Sequence, residues 1–123
     1  MNENKQQGIS IVREGFIVRS EMRCGKWIAN IALGLKNTTN EDKTVTVLCD
    51  ITEKESGKRA TEYKFHTFTY KNNIVEKSML LYVEDPKMWD ASEGLLYSCC
   101  VKLFDGKTQI DEASTDFGFI ADK

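Results

Sequence analysis

The sequence predicts an all-β domain, an antiparallel sandwich of two sheets with seven or eight strands. Apolar and polar residues alternate with a period of two in several segments, as in strands that turn one face to a core. Polar turn clusters separate these segments at spacings of about 10 to 15 residues. No segment carries the apolar stripe of an amphipathic helix. Several short antiparallel strands in a chain of 123 residues are typical of an immunoglobulin-like β-sandwich, and a small barrel is the structural alternative.

The clearest alternation covers residues 27–35. Its odd-numbered residues are all apolar, whereas the even-numbered ones include Asn30 and Gly34. Residues 45–51 repeat the pattern, and a polar turn at residues 37–42 separates the two runs. Both runs predict core strands, with the inward-facing residues Trp27, Ala29, Ile31, Leu33, Leu35, Val45, Val47, Cys49 and Ile51.

Five further strands complete the prediction. β-Branched, aromatic or alternating apolar residues place them at residues 9–18, 61–70, 74–83, 95–104 and 107–117. The first is expected to be interrupted at Glu14 and Gly15. Asp105 and Gly106 are expected to form the last hairpin turn, because both residue types tolerate positive φ. The sandwich is assigned to residues 8–120, after a polar, disordered extension at residues 1–7.

Charge and composition argue against several function classes. The chain has 17 Lys and Arg against 19 Asp and Glu, a net charge of -2, and no local run forms the basic patch of a nucleic-acid binder. No stretch approaches the roughly 20 apolar residues of a membrane span, so neither nucleic acid nor a membrane is an expected partner. The polar N-terminus contains no apolar run that could act as a signal peptide. These features are those of a soluble domain, whose parent protein is cytoplasmic, periplasmic or secreted.

Candidate catalytic and metal-binding residues are few. His66 is the single histidine, and its parity is opposite to that of Tyr63 and Phe65, so it is expected to face outward. Ser56 lies beside a glycine in a turn and outside any G-x-S-x-G motif. We expect no catalytic residue, no metal site and no cofactor in this chain.

Three acidic pairs could be proposed as the two carboxyls of a glycosidase: Glu53/Glu55, Glu84/Asp85 and Asp111/Glu112. That chemistry needs carboxyls about 5 to 10 Å apart across a sugar-sized cleft. Neighbouring residues of a strand point to opposite faces, and carboxylates in turns are usually solvated. We therefore expect none of these pairs to be catalytic.

Aromatic residues are densest in one predicted strand, at Tyr63, Phe65, Phe68 and Tyr70. Aromatic rings of this kind can stack on sugar rings. The favoured interpretation is packing, with one parity in the core and the other against a neighbouring strand or domain.

The four cysteines are Cys24, Cys49, Cys99 and Cys100. None forms a CxxC pair, which together with the single histidine argues against a zinc site. Cys49 and Cys99 fall at inward positions, where a free cysteine behaves as a small apolar residue. Buried free thiols are the favoured interpretation, and a disulfide between these two is the alternative. Cys99 and Cys100 point to opposite faces of a strand and are not expected partners.

A specific pattern covers residues 83–120. It contains Val-Glu-Asp-Pro-Lys-Met-Trp at 83–89, Leu-Leu-Tyr at 95–97, Val-Lys-Leu-Phe-Asp-Gly at 101–106 and Phe-Gly-Phe at 117–119. This pattern resembles the immunoglobulin-like domain of glycoside hydrolase family 2, which includes β-galactosidases, β-glucuronidases and β-mannosidases. That domain typically carries Asn-Pro-x-Leu-Trp, Leu-Tyr, a hairpin Asp-Gly and Phe-Gly-Phe-Arg. Residues 27–37 also fit its alternating strand that ends in asparagine.

Four positions depart from the family pattern. Asp85 stands where asparagine is usual, and Met88 where leucine is usual. Gly94 stands near the proline that commonly precedes Leu-Tyr. Ile120 replaces the arginine that normally lies at the junction with the next domain. This last change affects the polar contacts of that junction and leaves the expected fold intact.

The resemblance implies a fragment of a retaining exo-β-glycosidase, most similar to a β-galactosidase. The two catalytic glutamates of such enzymes lie in a (β/α)8 barrel that follows this domain. The chain is therefore expected to be non-catalytic, to connect a jelly-roll domain to the barrel, to brace the barrel and to contribute to homo-oligomer contacts. The alternative is a free-standing immunoglobulin-like module that binds carbohydrate or protein.

The family pattern also implies structural roles for its residues. Pro86 and Trp89 would cap the crossing between the sheets, with Trp89 plugging the end of the core. The hydroxyl of Tyr97 would tie down a nearby backbone group, as in a tyrosine corner. Gly118 would let the chain bend as it leaves the sandwich. The full set of signature residues is Pro86, Trp89, Leu96, Tyr97, Asp105, Gly106, Phe117, Gly118 and Phe119.

Overall fold

The computed structural model describes residues 8–89, 91–92 and 94–120, and this part of the chain is all-β. The extension expected at residues 1–7 lies outside the described residues. Seven strands lie within these described residues, in agreement with the expected seven to eight. Their bounds are β1 (Ile9–Arg23), β2 (Lys26–Asn37), β3 (Lys43–Glu53), β4 (Arg59–Thr69), β5 (Asn73–Tyr82), β6 (Tyr97–Asp105) and β7 (Thr108–Phe117).

The strands form two antiparallel sheets that pack face to face. One sheet has three strands in the order β1-β2-β5, and the other has four in the order β4-β3-β6-β7. All of the paired strands are antiparallel. The predicted immunoglobulin-like sandwich is therefore confirmed. Within the described residues, no helix has the length and apolarity needed to cross a membrane.

The core lies between the two inner faces, and strand alternation fills it. Of the odd-numbered residues of β2 predicted to face inward, Trp27 is partly buried and the other four are buried. The four inward residues predicted in β3 are at most 1% exposed. The central strand β6 supplies the facing set in the same sheet, with Tyr97, Cys99, Val101 and Leu103.

A wide bulge in β1 reverses the parity of that strand. Val12 pairs with Gly34 and Ile17 pairs with Ala32, so four residues of β1 stand opposite Leu33 alone. Before the bulge, odd-numbered residues such as Ile11 face the core; at the end of the bulge and beyond it, the even-numbered Phe16 and Val18 pack against the core. The irregularity expected at Glu14 and Gly15 is confirmed, and the strand continues beyond its predicted end to Arg23.

One hairpin turn was not predicted from the sequence, and another lies one residue from its predicted position. Cys24 and Gly25 connect β1 to β2 with φ values of 51° and 75°, the two positive φ angles of a type I′ turn. At the last hairpin, Asp105 remains in β6 and pairs with Thr108, so the turn residues are Gly106 and Lys107. The predicted Asp105-Gly106 turn is therefore wrong by one residue, and Gly106 carries the positive φ of 64° alone.

The turn between β2 and β3 is organised by a fully buried asparagine. The amide oxygen of Asn37 accepts the backbone N–H of Thr39 at 2.8 Å and its hydroxyl at 2.7 Å. The amide nitrogen donates to the carbonyl oxygen of Glu41 at 2.9 Å and to the hydroxyl of Thr69 at 3.0 Å. The asparagine that ends the predicted strand thus holds a turn and an end of β4 together.

Candidate functional surface at the exit end

The exit end is the end of the sandwich where the chain leaves β7, and it consists of residues 83–89 and 117–120. Here the segment before β6 runs alongside the outgoing chain. Met88 and Phe119 form a parallel bridge, and the backbone N–H of Trp89 donates to the carbonyl oxygen of Phe119 at 2.6 Å. The outgoing chain is therefore held by main-chain contacts beyond the last residue of β7.

An aromatic cluster fills the core at the exit end. Phe119 is fully buried, and its ring packs edge-on against Tyr97 with centroids 5.2 Å apart and against Phe117 at 5.3 Å. Trp27 completes the contact from the other sheet, with its centroid 5.8 Å from that of Phe119. Edge-to-face pairs of this kind contribute about 0.5–1.5 kcal/mol each beyond their burial. The Phe-Gly-Phe motif is thus part of the core.

Tyr97 fastens the segment that crosses between the sheets. The ring of Tyr97 is 2% exposed, and its hydroxyl oxygen accepts the backbone N–H of Lys87 at 2.9 Å. The expected contact between this hydroxyl and a nearby backbone group is confirmed. Pro86, immediately before Lys87, is half-buried, and Leu96 packs against the core.

Trp89 does not plug the core, which corrects the expectation from sequence. Its side chain is 37% exposed, and Phe119 and Tyr97 occupy the end of the core instead. The physical reason is the bridge at Met88, which holds this segment beside the outgoing chain rather than between the sheets.

Gly118 provides the space that Trp89 needs. A Cβ atom at residue 118 would lie 2.9 Å from Cδ1 of Trp89, closer than real Cβ atoms approach, and 3.1 Å from its Cβ, tighter than most real contacts. Gly118 is not among the glycines with positive φ. The structure gives Gly118 a steric role, because a Cβ atom here would collide with the side chain of Trp89.

The rim of the exit end is apolar and exposed. The exposed fractions are 38% for Met88, 37% for Trp89 and 53% for Ile120. Met88 and Trp89 are held beside Phe119 by the bridge and the backbone hydrogen bond, and Ile120 directly follows Phe119. An apolar rim around an outgoing chain suits contact with a further structural element.

Asp111 joins the edges of the two sheets. Its carboxylate accepts the backbone N–H of Ile11 at 2.8 Å and two hydrogen bonds from the guanidinium of Arg13, at 2.7 and 3.3 Å. Burial alone would raise the pKa of Asp111, but the hydrogen bonds from Arg13, Ile11 and Glu112 outweigh it and hold the pKa below its ordinary value. The sequence placed Asp111 in an acidic pair, and the structure assigns it to this sheet-to-sheet contact.

The other acidic candidates are also engaged or exposed. Glu53 accepts a hydrogen bond from the hydroxyl of Ser56 at 2.7 Å and lies 3.5 Å from Nζ of Lys87. These contacts, the Ser56 hydrogen bond above all, lower the pKa of Glu53. Glu84 and Asp85 are exposed. Among the described residues there is no group of three or more His, Cys, Asp or Glu side chains that could hold a metal ion.

His66 and the aromatic residues of β4 lie on the outside or at the margin of the sandwich. His66 is exposed, and its Nδ1 lies 2.8 Å from the hydroxyl of Thr46. Tyr63 stacks on Phe65 with centroids 5.6 Å apart and is 48% exposed, because β4 is an edge strand. Phe68 is 63% exposed on the opposite parity. The expected outward position of His66 is confirmed.

Comparison with solved structures gives the same fold in much larger proteins. A family 2 glycosyl hydrolase from Bacteroides cellulosilyticus superposes with a TM-score of 0.81 at 18% identity. The β-glucuronidase of Bacteroides uniformis gives 0.80 at 16%, and a Bacteroides fragilis protein assigned as a β-galactosidase gives 0.79 at 15%. These alignments cover 90%, 91% and 89% of this chain. They cover 15%, 14% and 17% of the respective other chains.

Comparison of the sequence with curated proteins gave no match. Comparison with protein families gave a match over residues 14–119, from the bulge of β1 to the buried Phe119. The matched region therefore contains nearly the whole sandwich and all the residues of the exit end except Ile120. On this match, the chain belongs to glycosyl hydrolases family 2.

Proposed function

We propose that this chain acts as a non-catalytic sandwich domain of a retaining family 2 exo-β-glycosidase of the β-galactosidase type, and that it braces a catalytic barrel. The observation that carries the proposal is the extent of the family match. It covers residues 14–119, which is nearly the whole sandwich, while similar solved proteins are several times longer. We place the catalytic residues in the part of such longer proteins that this chain does not match.

Three carboxylates have lowered pKa values, which makes each of them unsuited to the general-acid role. A retaining glycosidase needs a carboxylic acid with a raised pKa beside an ionised nucleophile, about 5–5.5 Å apart. In this chain hydrogen bonds lower the pKa of Glu21, Glu53 and Asp111. These three carboxylates therefore stay ionised near neutral pH, which argues against each of them as the general acid.

The exit end supports the bracing role. Main-chain contacts fix the outgoing chain at Phe119, and exposed apolar side chains surround it at Met88, Trp89 and Ile120. A rigid exit with an apolar rim would hold a following domain in one orientation. Ile120, which stands where the family usually has arginine, gives this junction an apolar contact in place of a polar one.

Turnover of chromogenic substrates by the purified chain tests the proposal. Aryl β-galactosides, β-glucuronides and β-mannosides should release no aryl alcohol above the blank rate. Hydrolysis that disappears when a carboxylate of this chain, such as Glu53, is changed to glutamine would overturn the proposal. Each described carboxylate is changed in turn, and hydrolysis that survives every single change would come from a contaminating enzyme and would leave the proposal standing.

A sugar-binding module is the second candidate, and the edge strand β4 favours it. Tyr63 is half exposed and backed by Phe65, which gives a stacked aromatic surface beside the solvent. Titration calorimetry with galactose, glucuronate and mannose derivatives distinguishes the candidates. A heat of binding that is lost in Tyr63→Ala and retained in Phe68→Ala would favour the module; no heat with any sugar would favour the bracing domain.

A further inference from the structure

Cys49 and Cys99 bring two thiols into contact on the inner face of the four-stranded sheet. Their Sγ atoms are 3.6 Å apart, and neither side chain has exposed surface. The two residues belong to the central strands β3 and β6. Cys49 lies opposite Val101 and Cys99 lies opposite Ile51, so the cysteines are diagonal neighbours on one face of the sheet.

The fold keeps the other two cysteines apart from this pair. Cys24 is exposed in the turn between β1 and β2. Cys100 follows Cys99 but points to the outer face of the sheet, where its Sγ donates to a carboxylate oxygen of Glu112 at 3.5 Å. Cys49 and Cys99 are therefore the two thiols that folding itself brings together.

We infer that Cys49 and Cys99 form a disulfide when the chain folds in the presence of a small disulfide oxidant such as glutathione disulfide, and that the folded, reduced chain is protected from the same oxidant. A disulfide bond is about 2.05 Å long, so the two sulfur atoms must approach by about 1.5 Å. Diagonal neighbours in a sheet lie about 7–8 Å apart, at or beyond the usual limit for a disulfide, so this approach requires β3 and β6 to draw together as well as rotation of both side chains about χ1.

The reaction is thiol–disulfide exchange and consumes one oxidant molecule. The thiolate of one cysteine attacks glutathione disulfide, forms a mixed disulfide and releases one glutathione. The second cysteine then attacks its sulfur in the mixed disulfide and releases the other glutathione. Two protein thiols are oxidised, one glutathione disulfide is reduced to two glutathione molecules, and these carry the two protons.

Burial explains why Cys49 and Cys99 are oxidised while the chain folds and not after it has folded. The hydrogen bond with Cys49 and the burial of the side chain both raise the pKa of the Cys99 thiol. The thiolate is the species that attacks, so the folded chain holds almost none of the reactive form. Access also requires the two sheets to separate, because both thiols lie in the core between them. The unfolded chain meets neither obstacle, and folding then brings the pair together.

Refolding under redox control tests the inference on the full chain. One sample is unfolded in guanidinium chloride with a reductant and refolded in reduced and oxidised glutathione; a second sample is kept folded in the same buffer. Free thiols are then alkylated in denaturant, and the digested peptides are analysed by mass spectrometry. We expect a linked Cys49–Cys99 peptide in the refolded sample and alkylated Cys49 and Cys99 in the folded sample.

The double variant Cys24→Ser/Cys100→Ser is the matched control, because it removes the other two thiols and leaves the buried pair intact. It should give the same linked peptide with a native circular dichroism spectrum. Alkylated Cys49 and Cys99 in natively refolded chain would overturn the inference. So would cross-links that join either residue to Cys24 or Cys100 in the unaltered chain, or rapid oxidation of the pair in the folded sample.

Discussion

The carboxylate of Asp111 accepts the backbone N–H of Ile11 at 2.8 Å and so joins β7, at the edge of one sheet, to β1, at the edge of the other. A β-bulge positions it. Leu103 pairs with Asp111 and Phe104 pairs with Gln109, which leaves Ile110 as the extra residue. Bulges bend a strand and redirect its side chains. The carboxylate oxygen of Asp111 thus replaces a backbone carbonyl as the acceptor of the Ile11 N–H and links the two sheets.

Replacing Asp111 by asparagine should destabilise the sandwich by about 1–3 kcal/mol, because the charge-assisted hydrogen bonds with Arg13 and the backbone N–H of Ile11 are weakened. Guanidinium denaturation measures the loss. The matched control is Asp116→Asn. Asp116 pairs with Lys54 at 2.6 Å, but both side chains are more than 40% exposed. Exposed pairs contribute about 0–1 kcal/mol, so equal losses in the two variants would contradict the role given to Asp111.

Stability should also fall at acid pH through the same carboxylate. The folded-state pKa of Asp111 lies below the value of about 3.9 for an unfolded aspartate. Its stabilising contribution is therefore complete above that value and is lost as the pH falls toward the folded-state pKa. Denaturation midpoints measured from pH 7 to pH 2 should fall more steeply in the unaltered chain than in Asp111→Asn. Some slope should remain in the variant, because the pKa values of Glu21 and Glu53 are lowered too.

Gly118→Ala should destabilise the exit end by about 1–3 kcal/mol, the cost of overpacking. The new Cβ would lie 2.9 Å from the ring of Trp89. The double variant with Trp89→Ala removes the ring contacts and keeps only the contact with Cβ of residue 89, so the combined loss should be less than the sum of the two, with a coupling of at least about 0.5 kcal/mol. Gly15→Ala is the control, since its Cβ would meet no atom within 4 Å. Additive losses would show that Gly118 does not make room for the indole.

Trp89→Ala alone should cost less than the roughly 3–5 kcal/mol of a fully buried tryptophan, because more than a third of the side chain is exposed. This revises the larger loss that a core position would imply.

Tyr97→Phe should cost about 1 kcal/mol, the net value of one hydrogen bond. The variant keeps the ring in the aromatic cluster and removes the acceptor of the Lys87 N–H. Hydrogen exchange separates this effect from general destabilisation, because the amide of Lys87 should lose protection while amides in the centre of β3 keep theirs. Tyr82→Phe is the control, with a ring 46% exposed. Unchanged exchange at Lys87 would contradict the tie between Tyr97 and the crossing segment.

Local pattern predicted the parts of the fold that depend on alternation. The period of two predicted the inward residues of β2 and β3 and their alternation with polar residues. The family motif predicted the contact of the Tyr97 hydroxyl. Trp89 was misplaced because a large aromatic residue is usually buried, whereas the Met88–Phe119 bridge sets its position. The contact between Asp111 and Ile11 escaped prediction because it joins residues 100 positions apart and depends on a bulge. The last turn lies one residue later than predicted because Asp105 still pairs with Thr108.

The measurement that tests the central claim most directly is the intact mass of the chain after incubation with a 2-deoxy-2-fluoro β-galactosyl or β-glucuronosyl donor. Such donors leave a stable glycosyl ester on the nucleophile of a retaining glycosidase, because fluorine slows the second step of the reaction. A non-catalytic family 2 domain should keep its unmodified mass. A glycosyl adduct that forms on one carboxylate of the natively folded chain, and is absent when the chain is unfolded, would contradict the proposed function.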